Sequence, residues 1–293
     1  MIPFIVMTNQ CNSGCFYCFY NDEEELSFGK EAINKKSLKR FLVKAREDLS
    51  DEIILTGGEP FLVPWSYDFI KWLPENNMKA SIITNLININ KEKMIDAKKG
   101  IKKIITSIDH HNPKVNNILR KGSGRTRENL EFMVEQGFDI QINVVITKIN
   151  YKDVRAIYTN LKPYANKIFF QPVGLDNPEL QKKYGIEDLP REELEKMLIK
   201  LAPWAKQENY NLHYMRMNSY LLEGEKPFAP CQMGKEIFVI DYDGSIAPCF
   251  RRHDLKAGNI HKDEPEIIMK NLRDNYEKLD SPSCFTSKCF PLY

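Results

Sequence analysis

Short apolar runs alternate with longer amphipathic stretches over the first 175 residues of the chain. The apolar runs fall at residues 3–8 (PFIVMT), 52–57 (EIILTG), 80–85 (ASIITN), 103–108 (KIITSI), 140–147 (IQINVVIT) and 167–173 (KIFFQPV). They are β-branched and six to eight residues long, which predicts strands. Between them, residues 34–48, 67–76, 90–98, 124–136 and 151–161 place apolar side chains at helical spacing. Strand and helix in strict alternation imply parallel strands joined by helical crossovers. In such sheets the working groups collect at the carboxyl ends of the strands. Polar residues and glycines stand at those ends: Asn9 onward, Thr56 to Glu59, Thr84 and Asn85, Ser107 and Asp109, Asn143 and Thr147, and Gln171.

The pattern breaks at residues 174–193, a polar stretch with Pro178 and Pro190. A helix is expected at about 191–207, a strand at 212–217 (LHYMRM) and a loop at 223–230. Residues 236–250 read as a β-hairpin, two apolar runs around Asp241-Tyr242-Asp243-Gly244. A final helix is expected at 265–278. No solenoid repeat or low-complexity segment appears.

Composition narrows the function classes. The chain has 293 residues, enough for one α/β barrel or a smaller barrel with an appendage. Its 42 basic and 40 acidic side chains leave a net charge of +2, so no nucleic-acid partner is expected. There is no apolar run long enough to span a membrane, and the start (MIPFIVMTNQ) lacks the basic flank of a signal peptide. A cytoplasmic protein is expected. There thiols stay reduced, and clustered cysteines point to metal or catalysis. The seven cysteines form two groups, Cys11, Cys15 and Cys18, then Cys231, Cys249, Cys284 and Cys289, with none between.

The first group is C-x3-C-x2-C and follows the first strand, at the expected barrel mouth. Such thiolates can take three corners of an iron–sulfur cube or three positions around zinc. No nearby Cys or His supplies a fourth ligand, and the first histidine is His110. A cube with three protein ligands keeps one iron open for something other than protein.

The loop, with Tyr17 as its aromatic, resembles the signature of radical S-adenosylmethionine (SAM) enzymes. The second mark is Gly57-Gly58-Glu59-Pro60 at the end of the second strand, resembling that family's turn for the SAM amino group. Ser107 and Asp109 resemble the segment that meets the ribose and carboxylate of SAM. Asn143 resembles the adenine contact on the fifth strand, Asn85 also fits, and Arg120 is a candidate carboxylate partner. The resemblance covers residues 1 to about 175. It implies a partial (β/α)6 TIM-like barrel, a 4Fe–4S cluster that binds SAM, and a radical that abstracts hydrogen from an unactivated carbon. A side chain at Gly58 is expected to fill the approach to the SAM amino group.

The second group resembles the twitch domain, the shortened SPASM domain, in which a β-hairpin and helix hold one auxiliary 4Fe–4S cluster. The implied ligands are Cys231, Cys249, Cys284 and Cys289. The chain departs from the family at the last pair, C-x4-C where C-x2-C is common, and a structural zinc with four thiolates stays open there. The resulting division is a barrel at 1–175, a bridging segment at 176–225 and a small α+β domain at 226–293.

Relatives with such domains oxidise sugars, alcohols or protein side chains, or cross-link and epimerise peptides. Four auxiliary cysteines suggest a closed cluster that accepts an electron, hence oxidation or cross-linking of a peptide or small molecule. An epimerase that uses a free cysteine as hydrogen donor is the alternative. A non-enzymatic zinc or iron–sulfur protein is the other class, and it has no use for the glycine turn. The chain starts on the first barrel strand, so a fused peptide-binding module is not expected. An electron donor such as flavodoxin or ferredoxin is implied. Substrate contacts are expected in 174–193 and 213–220, with Arg216 a candidate anchor.

Overall fold

The computed structural model describes residues 1–18, 33–175, 177–224, 233–250 and 252–276. In chain order its strands are β1 (Ile2–Val6), β2 (Gly14–Cys15), β3 (Glu52–Thr56), β4 (Lys79–Thr84), β5 (Ile101–Ser107), β6 (Arg120–Lys121), β7 (Ile140–Ile146), β8 (Lys167–Pro172), β9 (Ile237–Ile240), β10 (Ser245–Ala247) and β11 (Gly258–Asn259). The helices are α1 (Lys35–Lys44), α2 (Ser66–Trp72), α3 (Lys91–Ala97), α4 (Pro113–Leu119), α5 (Thr126–Glu135), α6 (Val154–Leu161), α7 (Pro178–Tyr184), α8 (Arg191–Gln207), α9 (Asn211–Asn218) and α10 (Pro265–Tyr276).

All six barrel strands expected from the apolar runs are present. They pair in parallel in the order β1-β3-β4-β5-β7-β8, which is sequence order, each joined to the next by a helical crossover. Their alternation sorts the side chains. Ile5, Met7, Ile53, Leu55, Ile82, Ile104, Ile142, Val144, Ile168 and Phe170 face the helices in one large core. Phe4, Val6 and Ile54 face the other way, onto the concave side. Between β4 and β5 the register slips: Ala80 opposes Ile101 but Ser81 opposes Lys103, so Lys102 is the extra residue of a bulge.

The two edges of the partial barrel are managed differently. On the β1 side the sheet continues. β9 lies parallel to β1, with Ile2 opposite Ile237, and β10 and β11 follow antiparallel. The expected hairpin is therefore β9–β10, turned at Asp241 to Gly244, where Gly244 has φ 80°. It joins the barrel sheet directly.

On the β8 side, side chains cover the edge. Trp204 Nε1 donates to Ile168 O (2.7 Å), His213 Nε2 donates to Phe170 O (2.7 Å), and Ile168 N donates to Glu208 Oε2 (3.4 Å). Burial holds His213 down, to about 4, so it stays neutral at the edge. These bonds satisfy the backbone groups that an edge strand leaves open.

That edge corrects one expectation. Residues 212–217 form helix α9, not a strand. The buried residues of α9 are His213, Arg216 and Met217, an i, i+3, i+4 set that packs one helical face, while Leu212 and Met215 are exposed. Two shorter helices were not anticipated. α4 begins with Asn112 capping Lys114 N and Pro113 at its first position, and α7 begins with Asn177 and Pro178 in the same arrangement. No helix among the described residues is long and apolar enough to cross a membrane.

Candidate functional site

The cysteine loop leaves the carboxyl end of β1 and is pinned from below by the turn after β3. Gly58 N donates to Thr8 O (2.7 Å) and Glu59 N to Gln10 O (2.8 Å). The backbones approach so closely that no side chain fits between them. A Cβ on Gly57, whose φ is 138°, would lie 2.4 Å from Thr8 O, and one on Gly58 would lie 2.0 Å from Gln10 O. The space beside Gly58 is therefore taken by the backbone just before Cys11. A side chain at Gly58 would first meet that backbone.

Glu59 and Pro60 complete the turn. Pro60 is buried and starts a 3-10 turn, Pro60–Leu62. The Glu59 carboxylate is buried and accepts from Thr84 Oγ1 (2.8 Å), Asn85 N (2.8 Å) and Phe61 N (3.2 Å). Burial pushes its pKa up to about 7, against the pull of those donors. It ties the end of β3 to the end of β4. That bond set turns Asn85 toward the cysteines: Asn85 Nδ2 donates to Asn12 Oδ1 (2.8 Å) and lies 3.6 Å from Cys11 Sγ.

Within the loop, Ser13 N donates to Cys11 Sγ (3.4 Å), Ser13 Oγ lies 3.3 Å from Cys15 Sγ, and Cys18 N donates to Cys15 O (3.1 Å). Burial raises the Cys11 pKa. As placed, no three His, Cys, Asp or Glu side chains among the described residues converge on one ion position. The donor set itself fits an iron–sulfur cluster: three thiols on one short loop, with N–H groups aimed at sulfur as they are around metal-bound thiolates.

Cys15 sits on β2, which pairs with β6 so that Cys15 opposes Arg120. That ladder brings together three residues far apart in the chain. The Tyr17 hydroxyl donates to Asp109 Oδ2, Arg120 Nη1 lies 2.6 Å from Tyr17 Oη, and Arg120 Nη1 lies 3.7 Å from Asp109 Oδ2. Asp109 is fully buried, and its Oδ1 accepts from Val145 N (2.8 Å). Burial raises the Asp109 and Tyr17 pKa values against the opposing pull of Arg120. Burial works against the Arg120 charge too, but Tyr17 and Asp109 together hold the guanidinium protonated.

Sequence reading missed the supports of this triad. Asn116 Oδ1 accepts from Asp109 N (2.8 Å), and Asn150 Nδ2 donates to Asp109 O (2.7 Å) and Val145 O (2.9 Å). Asn116 is the first of two adjacent asparagines inside α4 and Asn150 a single asparagine after β7, neither of them a distinctive signal.

Ser107 and Asn143 stand opposite each other on β5 and β7 at the same rim. Asn143 Oδ1 accepts from Gln141 Nε2 (2.9 Å). Arg216 is not brought to this group: it is buried on α9, the helix whose His213 covers the β8 edge. Cys249 is buried just after β10, and the next residue, Phe250, packs edge-on against Phe4 of the concave face at 5.6 Å. Cys231, Cys284 and Cys289 lie outside the described residues.

The family model of the radical SAM superfamily matches residues 5–161, the segment that carries the cysteine loop, the turn after β3 and the Tyr17, Asp109 and Arg120 triad. The chain belongs to the radical SAM superfamily. A second model, the SPASM iron–sulfur cluster-binding domain, matches residues 231–289, beginning at Cys231 and ending at Cys289. The expectation of a C-terminal cluster domain is thus borne out at the level of SPASM and twitch together.

The chain is 26% identical to the S-adenosylmethionine-dependent nucleotide dehydratase of Flammeovirga pacifica over 169 residues, 54% of this chain and 58% of that protein. It thus spans little more than half of that relative. It is 25% identical to the cysteine-type anaerobic sulfatase-maturating enzyme of Clostridium novyi, over 96% of this chain and 82% of that one. The fold matches Streptococcus suis SuiB bound to its precursor peptide SuiA with a TM-score of 0.70 and 17% identity, over 98% of this chain and 70% of that one. The α/β fold read from the apolar pattern is that of radical SAM structures. The superfamily brings SAM and a 4Fe–4S cluster, and the SPASM match brings auxiliary iron–sulfur binding.

Proposed function

We propose that this radical SAM protein oxidises or cross-links a peptide or small-molecule substrate, with one auxiliary 4Fe–4S cluster as electron acceptor. When bound, the first cluster and SAM supply a 5′-deoxyadenosyl radical, the oxidant for an unactivated C–H bond. In this reading Cys11, Cys15 and Cys18 hold that cluster, and Cys231, Cys249, Cys284 and Cys289 hold the auxiliary one. Gly57 to Pro60 hold the cysteine loop in place. Ser107, Asn143 and Arg120 face the cofactor at the rim. Tyr17 shields it from water, and Glu59, Asn85 and Asp109 act as positioning residues. The partition at 175 and 226, a cytoplasmic location and a flavodoxin- or ferredoxin-type electron donor belong to the same proposal.

The observation that carries it is the convergence of two separate locks on one loop. The turn after β3 grips the residues before Cys11, and Asp109 and Arg120 grip Tyr17 just before Cys18. A peptide substrate is favoured by the likeness to a sulfatase-maturating enzyme along almost the whole chain.

The test has two parts. Anaerobically reconstituted protein should carry iron and sulfide for two clusters and form 5′-deoxyadenosine with dithionite and SAM. The Cys11→Ala, Cys15→Ala, Cys18→Ala triple variant should lose that product and keep the iron of the second group. SAM cleavage by the triple variant, or zinc in place of iron in the wild type, would end the proposal.

A further inference from the structure

The concave face carries a cation whose role the proposed chemistry does not use. Lys103 lies on β5 in the row of Ile105, Ser107 and Asp109, the row that faces away from the helices. It is partly buried. The bulge decides its surroundings. Lys102, the extra residue, reaches Glu52, whose carboxylate also accepts from Ser81 Oγ. The nearby Asp51 is engaged by Arg46. Lys102 and Lys103 therefore share the attraction of one carboxylate, Glu52, and Lys103 makes no direct ion pair of its own among the described residues.

The polar contact of Lys103 is a neutral amide. Its Nζ donates to Gln141 Oε1 (3.4 Å), and Gln141 Nε2 donates to Asn143 Oδ1 (2.9 Å). Lys167, in register with Gln141, lies instead over the Tyr210 ring at 5.7 Å. A partly buried ammonium held by one long bond to an amide, and attracted by a carboxylate that Lys102 already engages, is incompletely compensated. An anion from outside the chain completes it at little further desolvation cost, because the ammonium is already half out of water.

We propose that Lys103 is a specificity-determining residue that binds an anionic group of the substrate, a carboxylate or a phosphate, on the concave face of the partial barrel. This rests on the radical SAM reading above, in which the rim of β5 and β7 faces the cofactor. Ser107 lies four positions along the strand from Lys103, a rise of roughly 13 Å. The Gln141 bond to Asn143 links the anion position to the rim. Both sources of the anion, an acidic peptide or a phosphorylated small molecule, present the same chemistry to Lys103.

The test uses reconstituted protein with SAM present, titrated calorimetrically with inorganic triphosphate and with a tetraglutamate peptide. One of the two should bind the wild type, and Lys103→Met should weaken it by about tenfold or more, the worth of one charge-assisted hydrogen bond. Lys103→Arg should restore most of the affinity. Lys99→Met, which removes the same charge from an exposed position, should change it by less than about threefold. A response to triphosphate assigns a phosphate-bearing substrate, and a response to tetraglutamate an acidic peptide. If Lys103→Met loses iron or thermal stability, Lys103→Gln takes its place. Binding of neither probe by the wild type, or equal binding by the Lys103 variants, overturns the inference. Wild-type SAM cleavage measured alongside separates the two failures. If cleavage is present and the anion arm fails, only the inference falls; if cleavage is absent, the radical SAM reading falls with it.

Discussion

Single residues set the tolerances of this site. Gly58 has the tightest one, with Gln10 O at 2.0 Å from where a Cβ would stand. Gly58→Ala must displace the backbone before Cys11, so iron content and SAM affinity should fall together. Iron per chain and SAM binding, measured on the same reconstituted sample, check this; full iron with weakened SAM binding would show that the side chain acts on SAM directly.

Glu59 makes the site pH-dependent. Its folded pKa is raised from 4.5 to about 7 by burial, so folding favours the protonated form. Its stabilising contribution is complete below the ordinary pKa and is lost as pH rises through about 7. Stability should fall by about 3 kcal/mol between pH 5 and 8. Glu59→Gln should flatten that slope in denaturant titrations across the range. Arg120 behaves oppositely under mutation. Arg120→Met leaves Asp109 buried without its cation and should cost about 3–5 kcal/mol in the same assay.

At the scale of elements, the edge of β8 carries a distinct prediction. Trp204 Nε1 satisfies Ile168 O from helix α8. Trp204→Phe keeps most of the apolar volume and removes the donor, leaving a buried carbonyl unpaired. It should cost about 1–3 kcal/mol and raise amide hydrogen exchange in β8 before the other strands. Exchange that rises uniformly across the sheet would mean that the tryptophan acts through core packing alone. The opposite edge needs no such cover, because β9 continues the sheet there.

For the molecule as a whole, the cysteine count bears on the chemistry. If three thiols hold one cluster and four hold the other, none of the seven cysteines in the chain remains to return a hydrogen atom. The product should then be oxidised or newly bonded, and in deuterated water it should gain no deuterium at the abstracted carbon. One solvent deuterium in an otherwise unchanged product, lost when Cys284 or Cys289 becomes Ala, would instead establish epimerisation.

Much of this was legible along the chain because its signals are local. A β-branched run between amphipathic stretches specifies a strand by its own periodicity, and β1, β3, β4, β5, β7 and β8 all lie where the apolar runs stand. The cysteine spacing and the Gly57 to Pro60 turn are local as well, so the superfamily could be read from them. Residues 212–217 misled because LHYMRM has no strict alternation. Its helical face became visible only through burial of His213, Arg216 and Met217 against α8 and β8.

The remaining facts are contacts between distant segments. Tyr17, Asp109 and Arg120 meet because a two-residue ladder, Gly14–Cys15 with Arg120–Lys121, carries one loop to the next. The missing side chain of Gly58 faces Gln10, and the direct ion pair to Glu52 is made by Lys102, the extra residue of a bulge, and not by Lys103. Periodicity sets which face a side chain takes, but the neighbour it meets there depends on register and on the close approach of backbones. Those are properties of the packed molecule, and only the tertiary structure decided them.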